Sequence, residues 1–130
     1  MATTKKGDGK RTQKVAEQVR AELMSLLITG EVHDPAVSQA LVSAVLLTAD
    51  LRIAKVYVRL LEANPDEKKK KAMLSGLERA KGFLRREVAE RVKLRYAPEL
   101  RFYWDEAIDR GREMEGVLSE IREREPESKD

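Results

Sequence analysis

Cysteine is absent from this chain, and histidine occurs once, as His33. Without cysteine there can be no disulfide and no thiolate metal site, which fits a reducing compartment. With one histidine, an imidazole general base could sit only in the loop His33-Asp34-Pro35, where a plain surface role is the simpler account. Sequences such as HExxH are missing, and Gly9-Lys10 lacks both the upstream glycine and the following Ser or Thr of a phosphate loop. The adjacent carboxylates Asp105 and Glu106 are better placed to cap a helix than to transfer protons. No apolar run approaches the ~20 residues needed to span a bilayer. The first residues, Met1 to Lys14, have bases but no apolar core of a secretory signal. These absences leave the expectation of a soluble, cytoplasmic protein that is not an enzyme, with no metal, no cofactor and no membrane partner.

What the chain does have is charge. Of 130 residues, 38% are charged and 42% apolar, so one modest core under a densely ionic surface is expected. The formal net charge is only +3, but it is unevenly spread. Residues 105–130 carry ten acids and five bases, a balance of −5, which leaves +8 for residues 1–104. A basic body with an acidic tail points to a polyanionic partner.

Periodicity divides the chain as follows. Residues 1–10 are small, polar and basic, and read as a disordered arm. Val15, Val19, Leu23, Leu26 and Leu27 recur at helical spacing from Arg11 to Thr29, and Gly30 supplies the stop. Asp34-Pro35 suggests one capped turn inside a loop. Residues 42–48 and 53–61 read as strands joined near Asp50. In the second, Ala54, Val56, Val58 and Leu60 point one way, while Ile53, Lys55, Tyr57 and Arg59 point the other. Asn64-Pro65-Asp66-Glu67 has the chemistry of a helix start, with Asn64 as cap and Pro65 at the first helical position. That helix should run to about Ala80. Gly82 then interrupts the pattern, and a second helix with Leu84, Val88 and Val92 should run toward Pro98. Leu100 and Phe102 alternate with Arg101 and Tyr103 in a third strand. An acidic helix with Ile108, Val117, Leu118 and Ile121 is expected to follow. Three strands with helices on one face make a two-layer α+β domain over 11–105, with 106–130 as a separate acidic helix and tail.

The functional signal lies in residues 79–104. Between Arg79 and Arg95 there are seven bases and two acids. The seven are Arg79, Lys81, Arg85, Arg86, Arg91, Lys93 and Arg95. Such a surface suits a nucleic-acid backbone, although a solvated helix face would look similar. Gly82 costs a helix about 1 kcal/mol relative to alanine. It either is tolerated for packing or marks a kink that leaves the backbone open to a ligand. The outward strand residues Lys55, Tyr57, Arg59, Arg101 and Tyr103 could stack single-stranded RNA, or could form an ordinary solvent face. The lysine run Lys68 to Lys71 would spread around a helix and raise the local potential without making one site.

Several stretches resemble the bacterial ribosome-binding factor A family. They include Phe83-Leu84-Arg85-Arg86-Glu87, then Leu94-Arg95-Tyr96-Ala97-Pro98-Glu99-Leu100-Arg101-Phe102, and Trp104-Asp105-Glu106-Ala107-Ile108-Asp109-Arg110-Gly111. Arg11 to Leu27, Asp34-Pro35 and Asp50-Leu51 with Ala54-Lys55-Val56-Tyr57-Val58 add to it, so the resemblance spans roughly 11–122. It implies a type II KH-like αββααβ domain, with a kinked helix pair at Ala80-Lys81-Gly82 and an extra C-terminal helix. It also implies a ribosome assembly factor that binds the 30S subunit and 16S rRNA and assists its late maturation and pre-rRNA processing. Other assembly factors are candidate partners, and the protein is expected to act as a monomer. The residues assigned to RNA are Lys55, Arg59, Arg79, Lys81, Arg85, Arg86 and Lys93. An ordinary KH domain clamps the backbone with a GxxG loop. This chain has no GxxG, so broad electrostatic docking is the expectation. Where the family usually reads Asp-Pro-Arg-Leu, this chain has Asp34-Pro35-Ala36-Val37. The alternative function is a protein-interaction module working through the acidic C-terminal helix.

Overall fold

The computed structural model describes residues 2–106. The expected acidic helix after Glu106 lies outside the described residues. The order of elements is α1 (Ala2–Ile28), a short 3-10 turn (Pro35–Val37), β1 (Ala40–Leu47), β2 (Ile53–Leu60), α2 (Glu67–Val92) and β3 (Glu99–Trp104).

In α1 the expected stripe is buried at Val19, Leu23, Leu26 and Leu27, but Val15 is only partly buried and its neighbour Ala16 takes the core position. The helix begins at Ala2 and so takes in backbone that composition marks as an arm. Propagation from packed turns adds one hydrogen bond per residue without a new nucleation cost, a contribution that composition does not register. Gly30 ends the helix region with φ +78°, the left-handed conformation that glycine adopts without a Cβ penalty. Asp34 then caps the 3-10 turn, its Oδ1 accepting from the Ala36 amide at 3.0 Å, with Pro35 at the first helical position.

Strands β1 and β2 form an antiparallel hairpin, and β3 joins β2 in parallel, giving the order β1-β2-β3. The hairpin turn is fixed by Asp50, whose Oδ1 accepts from Thr48 Oγ1 at 2.7 Å and from the Arg52 amide at 3.0 Å. A bulge at Ser43 shifts the register between Val42 and Ala44. The central strand carries the predicted alternation: Ala54, Val56 and Val58 are fully buried, and Leu60 nearly so. Both helices cover that face. Met73, Leu77, Leu84 and Val88 of α2 complete the core with Leu100 of β3.

The structure corrects the expected helices here in three respects. The cap of α2 is Asp66 rather than Asn64, its Oδ1 accepting from the Lys69 amide at 2.8 Å, and Glu67 is the first helical residue. More consequentially, α2 is one helix from Glu67 to Val92, not a pair divided at Ala80-Lys81-Gly82. The reason is packing. Met73, Leu77, Leu84 and Val88 keep helical spacing straight through the glycine, so burial on both sides outweighs the local cost of Gly82. The helix also stops well before Pro98. Lys93 turns into the left-handed region at φ 62°, and the Leu94 amide donates to Ala89 O at 2.8 Å.

Candidate nucleic-acid interface

The seven cations expected to meet RNA fall into three groups. Lys55, Arg86 and Lys93 are exposed and have no ion-pair partner among the described residues. Lys55 stands on the open face of the sheet, Arg86 on the outer side of α2, and Lys93 at its left-handed cap.

Arg79 and Lys81 are exposed in part but engaged. Arg79 donates to Asp34 Oδ2 from Nη2 at 2.6 Å and from Nε at 3.2 Å. Lys81 pairs with Glu78 at 2.8 Å, one helical turn away. Such exposed pairs exchange readily for other anions, so both cations can still contribute to a positive field.

Arg85 and Arg59 have structural partners. Arg85 spans the gap to the loop before β3, donating to Pro98 O at 3.0 Å and Ala97 O at 3.2 Å. Arg59 is only 7% exposed, and its Nη1 donates to Asp105 O at 2.6 Å. Its guanidinium lies 5.2 Å from the centre of the Trp104 ring. Alternation along β2 places Arg59 outward, but the chain leaving β3 covers it.

The segment Ala80-Lys81-Gly82 sits inside α2, with Gly82 exposed. A Cβ built at Gly82 would meet nothing within 4 Å, so packing does not require glycine there. Gly76, which the sequence does not single out, is the glycine that packing does require. A Cβ there would lie 2.8 Å from Val37 Cγ1 and 3.2 Å from Asp34 Oδ2. Its absence lets the 3-10 turn press against α2, which brings Asp34 to Arg79.

Two electrostatic effects follow from this arrangement. The Asp34 carboxyl is held below its ordinary range, first by the Arg79 hydrogen bond and then by the Ala36 amide. Glu99, at the start of β3, is held below its ordinary range by the hydrogen bond from Arg101, aided by the charges of Arg101, Lys81 and Arg85. Lys81 and Arg85 therefore project a positive field onto the start of β3. On the open sheet face, Tyr57 and Tyr103 are register partners and stack with centroids 5.5 Å apart. Lys55 and Arg101 are the adjacent register pair.

Among the described residues no helix is long and apolar enough to cross a membrane. Nor do three or more Asp, Glu or His side chains there gather as a metal-ligand group.

Residues 11–118 match the family model described as ribosome-binding factor A. The chain belongs to that family. Ribosome-binding factor A of Sorangium cellulosum is 44% identical over 114 residues, covering 88% of this chain and 90% of the relative. The crystal structure of ribosome-binding factor A from Thermus thermophilus superposes with a TM-score of 0.59 at 29% identity, over 72% of this chain and 94% of that one. A Thermus thermophilus homology model fitted into the cryo-EM map of a 30S complex with the factor gives 0.50 at 30% identity, over 68% of this chain and 93% of that one. The α+β domain, with its three-stranded sheet and helices on one face, is thus the family's fold, consistent with the KH-like description.

Proposed function

We propose that this protein is a non-enzymatic assembly factor that binds the 30S subunit through 16S rRNA and assists its late maturation and pre-rRNA processing. The observation that carries the proposal is the family match over 11–118, together with a relative fitted into a map of the 30S complex. The basic surface supports it. Lys55, Arg86 and Lys93 have no ion pair among the described residues, so they are available to phosphates, and Arg79 and Lys81 add exchangeable charge. Arg59 and Arg85 serve by holding the strand ends and the loop before β3 in place.

Such a factor acts through binding energy. Preferring one rRNA conformation over another shifts the population toward it, and only differential affinity is needed. Catalytic groups play no part in that scheme, and a cytoplasmic site of action follows from the partner. Sedimentation of the purified protein with small, large and assembled ribosomal particles tests the proposal. Selective pelleting with small subunits is expected. Equal pelleting with all three, or with none, would overturn it.

A further inference from the structure

Two loops meet at the end of the sheet where β2 and β3 both begin. One is the hairpin turn ending at Arg52, and the other is the connection from α2 to β3. They are joined by the Glu99 amide donating to Arg52 O at 2.7 Å. The second loop is also held by Arg85 on Ala97 O and Pro98 O, and by the Leu94 amide on Ala89 O. Each loop holds one left-handed residue, Leu51 at φ 61° near the exit of the hairpin turn and Lys93 at φ 62° at the entry of the connection from α2. The hydrogen bonds from the Glu99 and Leu94 amides and from Arg85 hold the backbone here in place.

On this base stands Tyr96, 55% exposed. The Arg52 guanidinium lies 4.7 Å from its ring centre and that of Arg95 5.9 Å. Neither arginine has an ion pair among the described residues, whereas Arg20, Arg79, Arg91 and Arg101 each hold a carboxylate. Beside the loop lies a shallow cavity of about 360 Å³. It is lined by Arg86, Glu87, Ala89, Glu90, Leu94 and Ala97, the last two flanking Arg95 and Tyr96 in the chain. Of the carboxylates near these loops, Asp50 is engaged by Thr48 and the Arg52 amide and feels the Arg52 charge, Glu87 is engaged by Arg91 and Glu99 by Arg101, while Glu90 is exposed on the cavity lining.

We infer that Tyr96, with Arg52 and Arg95, forms a binding site for an unpaired RNA nucleotide. The ring and the guanidinium planes offer stacking surface to the base, and the two arginines with Lys93 and Arg86 meet the flanking phosphates. Stacking of this kind is how proteins take hold of single-stranded RNA, and it needs an exposed ring on a fixed backbone. Tyr96 supplies such a ring, exposed and flanked by two arginines that hold no ion pair among the described residues. The site deepens the rRNA-binding proposal above and rests on it, since it names the kind of RNA element the basic end would take.

The test uses the full chain, a fluorescein-labelled single-stranded RNA oligonucleotide, and a duplex RNA of the same length. Tyr96→Ala should weaken single-strand binding about tenfold and leave duplex binding unchanged, while Tyr96→Phe should bind as wild type, because the ring is kept. Equal loss on both RNAs, or no loss on either, would overturn the site. So would no measurable binding of the single strand by wild type, or a Tyr96→Ala protein whose thermal midpoint falls while its affinity holds, which would make the ring a tie between loops. Binding of basic or acidic peptides in preference to RNA would assign this end to a protein partner instead. Pelleting of the same variants with small subunits keeps the two proposals separate. If wild type pellets but single-strand binding does not depend on Tyr96, only the nucleotide site fails; if wild type does not pellet, the rRNA proposal itself fails.

Discussion

Arg79 reaches across from α2 to hold Asp34, with Nη2 and Nε both directed at the same carboxylate oxygen at 2.6 and 3.2 Å. The other oxygen of Asp34 accepts from the Ala36 amide, so one side chain caps the 3-10 turn and ties it to the helix. The pair accordingly has a consequence for stability against pH. The folded-state pKa of Asp34 lies below its ordinary 3.8, because the Arg79 and Ala36 hydrogen bonds favour the ionised form. Its stabilisation is complete above the ordinary value and is lost as pH falls through the depressed one. Asp34→Asn should therefore lose less thermal stability than wild type between about pH 5 and about pH 2. Asp50 and Glu99 are lowered in the same direction, so some acid sensitivity should persist in the variant. Thermal midpoints by circular dichroism across that range check the point. Parallel curves for the two proteins would mean that the Arg79 contact does not hold in solution.

The two interior glycines of α2 should respond to alanine with opposite signs. At Gly76 the new methyl would meet Val37 Cγ1 at 2.8 Å, and the turn it belongs to would have to move. Overpacking of this kind costs about 1–3 kcal/mol. At Gly82 the methyl would enter open space on an exposed turn of an unbroken helix. The gain in helix propensity there is roughly 0.8–1.0 kcal/mol. Urea denaturation of both variants measures the difference. A destabilised Gly82→Ala would show that the helix bends at that residue in solution. A stabilised Gly82→Ala that binds small subunits poorly would show that the partner approaches the bare backbone there.

Local chemistry is legible in the sequence, and distant partners are not. The hairpin, the Asp34-Pro35 turn and the Gly30 stop follow from residues adjacent in the chain. The start of α2 lies two residues from where the pattern sets it because Asn64 and Asp66 are both competent caps, and pattern alone does not rank them. The division at Gly82 follows from a local propensity that the apolar stripe from Met73 to Val88 overrides. Among the candidate site residues, Lys55, Arg86 and Lys93 stand as outward charges. The roles of Arg59, Arg79 and Arg85 depend on Asp105, Asp34 and the 97–98 carbonyls, which only the fold brings near. A helical wheel shows where a charge points, but not what waits for it there. Gly76 escapes notice for the same reason, since its neighbour Val37 belongs to another element.

Arg85 and Arg86 are adjacent and chemically identical, yet they should behave differently on truncation. Arg85→Ala removes two charge-assisted hydrogen bonds to Ala97 O and Pro98 O. Hydrogen bonds to charged groups contribute about 1.5–3 kcal/mol, and the loop before β3 would lose its side-chain tether to α2. Arg86→Ala removes an exposed side chain with no partner among the described residues, so stability should stay within about 0.5 kcal/mol. Chemical denaturation gives both values. Amide exchange should additionally quicken around residues 94–98 in Arg85→Ala alone. Equal destabilisation by the two substitutions would contradict the placement of the Arg85 guanidinium on the loop.

The binding surface is best challenged at Arg86 and Lys93, because neither is needed by the fold. Both are exposed and unpaired among the described residues, whereas a reversal at Arg79 would set Glu against Asp34 and confuse binding with stability. Arg86→Glu with Lys93→Glu should keep the wild-type circular dichroism spectrum and weaken small-subunit association about tenfold or more, by losing two phosphate contacts and adding two repulsions. Each phosphate contact removed should also flatten the fall of log affinity with log salt by roughly 0.9 on a duplex or 0.7 on a single strand. The double variant should therefore show a slope shallower by about 1.4–1.8 units than wild type over the same salt range. Lys93→Gly is an independent control. Glycine relieves the left-handed backbone at φ 62°, so this variant should be more stable than wild type while binding more weakly, by loss of one contact. A gain in stability together with a loss of affinity cannot come from partial unfolding. If the double reversal pellets normally with small subunits at every salt concentration, the RNA surface lies elsewhere on the domain, and these exposed cations are only its solvated face.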